Sequence, residues 1–238
     1  MITALANPQR FMDVSRWAAP LLGAVAAGLL VVGLWLCFSV PPDYQQGDTV
    51  RILFVHVPAA WLSLLAYICL AGASFFGLVF RHALADAAAR AVAPLGAAFT
   101  ALALITGSFW GRPMWGTWWV WDPRLTSELI LLLFYLGYIA LQAAIEDEAK
   151  ADRACAILAL VGAINVPIVH FSVVWWNSLH QGESIFTKGG PLVAAVYLWP
   201  FALMALGYTA LFGSLWLVRT RAEVWRRRAR ALALRAAG

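Results

Sequence analysis

The sequence predicts an all-α integral membrane protein with six transmembrane helices. The first observation behind this is composition: of 238 residues, 63% are hydrophobic and 12% are charged. An ordinary soluble domain carries about 25% charged residues. A soluble globule of this size has too little interior to hide so much apolar surface, and disorder is excluded because disordered chains lack apolar residues. The second observation is six apolar stretches longer than about 18 residues, the length needed to cross the hydrocarbon core. The third is an uneven distribution of lysine and arginine among the connections.

The first stretch, 18–40, is longer than a signal-peptide core, and its exit Val40-Pro41-Pro42-Asp43 lacks a small-residue cleavage pattern. It is expected to persist as an uncleaved helix. Short charged segments, Arg81–Arg90 and Glu146–Arg153, join 52–80 to 91–109 and 126–145 to 154–176. The last stretch, 191–218, runs into a basic tail at 219–238. The other connections, 110–125 and 177–190, are longer and rich in aromatic residues or glycine. There is no internal repeat, so 1–238 reads as one domain. Cys37, Cys69 and Cys155 lie in apolar runs with no C-x-x-C spacing, which points to small buried hydrophobes rather than disulfides or a thiolate metal site.

The basic residues orient this bundle. Thirteen of the seventeen fall on one side: Arg10, Arg16, Arg81, Arg90, Lys150, Arg153 and seven arginines of the tail. Arg51, Arg112, Arg124 and Lys188 fall on the other. By the positive-inside rule both termini are cytoplasmic and the aromatic loops face outward. The arginine tail then suits anionic lipid at the inner surface better than nucleic acid.

The outward loops hold the chemistry. Five of the thirteen tryptophans lie between positions 110 and 121: Trp110, Trp115, Trp118, Trp119 and Trp121. Scattered residues such as Trp17, Trp35 and Trp216 fit an interfacial belt, but one loop with five does not need to be an anchor. The run Trp115 to Asp122 is expected to form a flat aromatic platform on a short amphipathic helix along the outer surface. Asp122 followed by Pro123 reads as an N-cap with proline at the first helical position. Such a platform suits a large, flat, apolar ligand.

His56 lies five residues after Arg51 and His170 five residues before Trp175. At about 1.5 Å rise per residue, both come to similar depth below the outer boundary on different helices. Pro58 and Pro167 adjoin them and open room beside each imidazole. Three readings stand from the residues alone: hydrogen bonding that only packs, a proton relay, and a shared metal or haem. Zinc would need more ligands than this face offers, whereas two imidazoles are what haem iron lacks beyond its porphyrin nitrogens. Arg51 and Arg124 are the outward arginines best placed to pair with haem propionates. His82 reads as solvated, and His180, in an outer loop, as a surface residue or a partner contact, the surface being favoured. Span interiors offer little polar beyond Asn165, Thr106 and Tyr67, which disfavours a pathway across the bilayer.

The stretch Trp-Gly-Arg-Pro-Met-Trp-Gly-Thr-Trp-Trp-Val-Trp-Asp-Pro-Arg-Leu-Thr at 110–126 resembles the signature of the WWD family of haem-handling membrane proteins. With Val-His-Val-Pro-Ala-Ala-Trp at 55–61 and Asn-Val-Pro-Ile-Val-His-Phe at 165–171, it is similar to the six-span cytochrome c maturation branch of that family. The resemblance is detailed from about position 51 to 188 and elsewhere rests on layout. It implies haem b as transient cargo at the periplasmic face of the bacterial inner membrane. His56 and His170 would be the axial ligands. Trp115, Trp118, Trp119, Trp121 and Asp122 would form the platform, and Arg51 and Arg124 match positions where the family has basic residues. The resemblance further implies transfer to the haem chaperone CcmE, in a complex with the small membrane protein CcmD and the ABC transporter subunits CcmA and CcmB. The chain would not be an enzyme, and it carries no G-x-x-x-x-G-K-[ST] motif of its own for ATP. The alternative within this resemblance is a subunit that moves haem across the bilayer. An electron-transfer cytochrome is weaker still, because no second histidine pair lies at inner depth.

Overall fold

Each apolar stretch forms a helix, and most of the helices outrun the stretch that predicts them. The computed structural model describes residues 7–180, 182, 185 and 187–237. Its helices are α1 (Pro8–Ser39), α2 (Leu53–Phe80), α3 (Ala83–Trp115), α4 (Pro123–Ala144), α5 (Glu148–Gly162), α6 (Asn165–Trp175) and α7 (Ala195–Ala237), with one turn of 3-10 helix at Asp48–Ile52 before α2. Among the described residues, six helical segments are long and apolar enough to cross a membrane, with α5 and α6 together making the fifth. No strand occurs among the described residues.

Local chemistry sets the boundaries. Asn7 accepts from the Gln9 amide and Pro8 takes the first position, so α1 starts ten residues before its apolar run. His82 accepts from the Ala85 amide after Arg81 turns left-handed at φ 50°, so the expected loop 81–90 is mostly the first turns of α3. The basic tail is likewise a helical continuation of α7 to Ala237. Within the fifth span, Pro167 has no N–H to offer the Ala163 carbonyl four residues back. That carbonyl accepts from Val166 instead, at 3.1 Å, and the helix breaks into α5 and α6.

The expected short tryptophan-rich helix is corrected by the structure. Helix α3 runs on through Trp115, Gly116 ends it in the left-handed region at φ 77°, and residues 116–122 are irregular up to the cap of α4. Thr117, Trp118, Trp119, Val120 and Trp121 are β-branched or aromatic residues of modest helix propensity, and Asp122 before proline is held extended. Nothing in this segment favours restarting a helix.

Helix α1 lies along α7, and α2 packs most extensively against α3. Tyr67, Leu70, Leu131, Tyr135 and Val92 are buried at the centre, while Phe38, Phe76, Leu133 and Trp199 are exposed, as a lipid-facing surface requires. The arginine-rich end is locked by ion pairs. Arg90 reaches Glu223 at 3.1 Å and Glu148 at 3.3 Å, and Arg227 reaches Asp152 and Glu223, each at 3.0 Å. These join α3, α5 and α7. Glu223 is buried, so Glu223→Ala strands several arginines and is expected to cost about 1.5–3 kcal/mol. The check is a lower thermal midpoint in detergent than for Glu146→Ala, which removes an exposed carboxylate.

Candidate functional site at the tryptophan-rich end

The opposite end gathers the start of α2, the end of α3, residues 116–122, the start of α4, the end of α6 and residues 176–180. His56 sits in the first turns of α2 and faces α3. Its Nδ1 lies 3.0 Å from the Ala103 carbonyl and 3.1 Å from the Thr106 hydroxyl. A carbonyl only accepts, so Nδ1 carries the proton and Nε2 keeps its lone pair. The ring meets Trp110 edge-on at 5.6 Å, and Trp110 itself donates to Gln46 at 2.9 Å. Room for the imidazole comes from Gly107, where a Cβ would stand 3.0 Å from His56 Cε1.

Asp122 is the junction of this end. It caps α4 as the Asp-Pro pair predicts, accepting from the Leu125 amide at 2.8 Å. Its other carboxylate oxygen accepts from the Ser178 hydroxyl. His180 Nδ1 lies 3.8 Å from that same oxygen, and the His180 ring packs on Trp115 at 5.1 Å. His180 is therefore half-buried against the tryptophan loop, contrary to the surface position expected for it, and its buried Nδ1 has no hydrogen-bond partner. The imidazole of His180 and the guanidinium of Arg124 both lie within electrostatic reach of His56.

His170 is placed differently. It stands on the outward stripe of α6 with Pro167, Phe171 and Val174, all exposed, and its ring meets Phe171 at 4.6 Å. Equal depth along two helices does not make two side chains face each other. Arg124 reaches across from α4 to the Val169 and His170 carbonyls at 3.2 and 3.4 Å, tying α6 to α4. Arg51 pairs with Asp48 at 2.9 Å and approaches the Val40 carbonyl, while its buried Nε is unpartnered.

The tryptophans do not form a flat platform. Trp119 and Trp121 meet at 80° and Trp118 meets Phe109 at 85°, so the rings are staggered. Trp118 and Trp121 are exposed, whereas Trp115 and Trp119 are half-buried. Between 120–123 and 177–179 lies an open pocket of about 360 Å³. Within the outer loop 177–190, Gln181, Glu183, Ser184 and Phe186 lie outside the described residues. The span interiors are also more polar than the sequence reading holds. Glu128 of α4 is buried and bonded to Ser63 of α2, and Asn165 donates to the Ser127 carbonyl.

Burial pushes the Asp122 carboxyl up, but His180, the Ser178 hydroxyl and the Leu125 amide outweigh it and hold the group below the usual carboxylate value. A depressed folded value stabilises above the unfolded one, about pH 3.9, and the stabilisation is lost as pH falls through the folded one. Hydrogen-exchange protection of the Leu125 amide is thus expected to hold from neutrality to pH 5 and fail only in stronger acid. Release nearer neutrality would show that another group makes this tie.

Comparison with known proteins bears on the same residues. The family model for heme exporter protein C matches residues 1–235. The heme exporter protein C of Bradyrhizobium diazoefficiens is 54% identical over 96% of this chain and 87% of its own length. That of Paracoccus denitrificans is 47% identical over 97% and 96%, and that of Escherichia coli 46% identical over 91% and 88%. With a match this long and identities this high, the chain belongs to the heme exporter protein C family.

Proposed function

We propose that the protein binds haem at its tryptophan-rich end, between His56 and His180, and presents it for transfer during cytochrome c maturation. One observation carries this reading. Two imidazoles stand beside the tryptophans: His56 with Nδ1 bonded to the Ala103 carbonyl, and His180 with Nδ1 3.8 Å from the Asp122 carboxylate, close but beyond hydrogen-bond range. Histidine ligands of metals are commonly oriented by a bond from the ring nitrogen that does not bind the metal, as His56 is. Nε2 of each ring is left to the iron. His180 replaces His170 in this role, because His170 lies on the outward stripe of α6.

Trp115, whose ring meets His180 at a tilt, and the half-buried Trp119 would cover the porphyrin, and the exposed Trp118 and Trp121 would meet a docking partner. Arg51 suits a propionate, since its partner Asp48 is exposed and exchangeable. Arg124 adds positive charge near His56 while anchoring α6. The arginine-rich end would face the cytoplasm of the bacterial cell and the tryptophan-rich end the periplasm. Haem b is then the cargo, the chaperone CcmE its acceptor, and CcmA, CcmB and CcmD the neighbours in the membrane.

The test is the absorption spectrum of the purified protein, oxidised and reduced. A low-spin bis-imidazole spectrum is expected, and a protein that retains no haem would sink the reading. Reporter fusions after Phe80 and Ile145 should report cytoplasm, and fusions within 42–48 should report periplasm.

A further inference from the structure

Glu128 lies in the second turn of α4, inside the bundle, where an ionisable side chain is costly and is retained for a function. Its Oε1 is 2.7 Å from the Ser63 hydroxyl, and that same hydroxyl is 2.7 Å from the Ala60 carbonyl. A serine hydroxyl has a single proton to donate. With a carboxylate at 128, Ser63 could satisfy only one of these two acceptors, and the other short contact would be oxygen against oxygen. With a carboxylic acid both contacts are hydrogen bonds: Glu128 donates to Ser63 Oγ, and Ser63 donates to Ala60 O. Among the described residues, Arg124, one turn away on α4, is the charged group that acts on Glu128; its positive charge opposes protonation, while its guanidinium is directed at the Val169 and His170 carbonyls. Tyr135, also on α4, spends its hydroxyl on the Ser63 carbonyl at 2.8 Å. The amide of Asn165 on α6 goes to the Ser127 carbonyl at 2.9 Å.

The geometry points to Glu128 as a proton-holding residue beneath the site, neutral in the empty protein and losing its proton to solvent when ferric haem is bound. The second half of this rests on the haem reading above. Ser63 follows His56 by seven residues on α2, about 10 Å along the helix axis. A ferric centre with two imidazoles and a dianionic porphyrin carries one positive charge, and a ferrous centre carries none. At that range in a poorly screened interior, the positive centre favours the carboxylate. The O–H bond of Glu128 breaks, the proton leaves to solvent, and the Ser63 hydroxyl turns from Ala60 O toward the new carboxylate.

The experiment is infrared spectroscopy of the full chain in detergent, comparing wild type with Glu128→Gln. The empty protein is expected to show a deuterium-sensitive carbonyl band of a protonated carboxylic acid that Glu128→Gln lacks. Ser63→Ala should move that band to higher frequency without removing it. Loading with ferric haem should remove the band, and reduction by dithionite should restore it. An empty protein with no such band, or a band that Ser63→Ala leaves in place, overturns the assignment. A band indifferent to iron oxidation in a sample with a normal low-spin spectrum overturns the coupling to haem. If the low-spin spectrum itself is missing, the haem reading has failed, and the band of the empty protein still decides the state of Glu128.

Discussion

Replacing His56 or His180 by alanine is expected to abolish the low-spin bis-imidazole spectrum, whereas His170→Ala leaves it unchanged. Six-coordinate haem iron holds two axial ligands, and removal of either leaves a five-coordinate or water-bound centre. Haem retained through purification should fall by more than the roughly tenfold to hundredfold that follows from loss of a residue that merely orients a ligand. Free imidazole should partly restore the spectrum in His56→Ala and in His180→Ala, since it fills the space each ring vacates. The contrast with His170 follows from placement. That ring lies on the outward stripe of α6, and its backbone carbonyl is tied to α4 through Arg124. Loss of the spectrum in His170→Ala with retention in His180→Ala would overturn this pairing.

How legible this was depends on how local each signal is. Six spans follow from hydropathy because lipid forces backbone polar groups into helices. Their true ends do not, because segments such as Ala83–Arg90 and Arg219–Ala237 are charged and read as loops, although alanine and arginine are strong helix formers. The cap at Asp122 was readable from two adjacent residues, since N-capping is a contact within one turn. His56 was readable as an ionisable group within an apolar stretch. Its partner was not, because Ala103 contributes a backbone carbonyl from 47 positions away, and any residue there carries one. His180 was undervalued for a physical reason. Depth along a helix is fixed by the rise per residue, but a loop residue can fold back to any depth, and the link from Asp122 through Ser178 brings it back to Trp115. Glu128 was hidden by its position just inside an apolar stretch, where one carboxylate barely lowers mean hydropathy. The residue types at this end were thus visible in the sequence, and their spatial arrangement was visible only in the fold.

Gly107→Val is expected to remove haem as thoroughly as His56→Ala, though it leaves both ligands in place. A Cβ at position 107 would stand 3.0 Å from Cε1 of His56, tighter than an ordinary contact, and 3.5 Å from its Nδ1. Alanine asks the ring to give by a few tenths of an ångström. Valine adds two further methyl carbons on the same side, and the ring must leave its hydrogen bond to Ala103 and its edge contact with Trp110. A ligand constellation tolerates misplacement of only about 0.5 Å, so the valine variant loses the site and the alanine variant is intermediate. Stability should move the other way for alanine, because replacing glycine inside a helix gains up to about 1 kcal/mol. Higher thermal stability with weaker haem binding in Gly107→Ala would separate positioning of the imidazole from integrity of the fold. Added imidazole distinguishes the two ways of losing the ligand. It should rescue His56→Ala, where a cavity is left, and fail to rescue Gly107→Val, where the displaced ring and the new side chain fill the space. Retention of the full low-spin spectrum in Gly107→Val would show that His56 reaches the iron from elsewhere, and that the seat between Ala103, Gly107 and Trp110 is not where it binds.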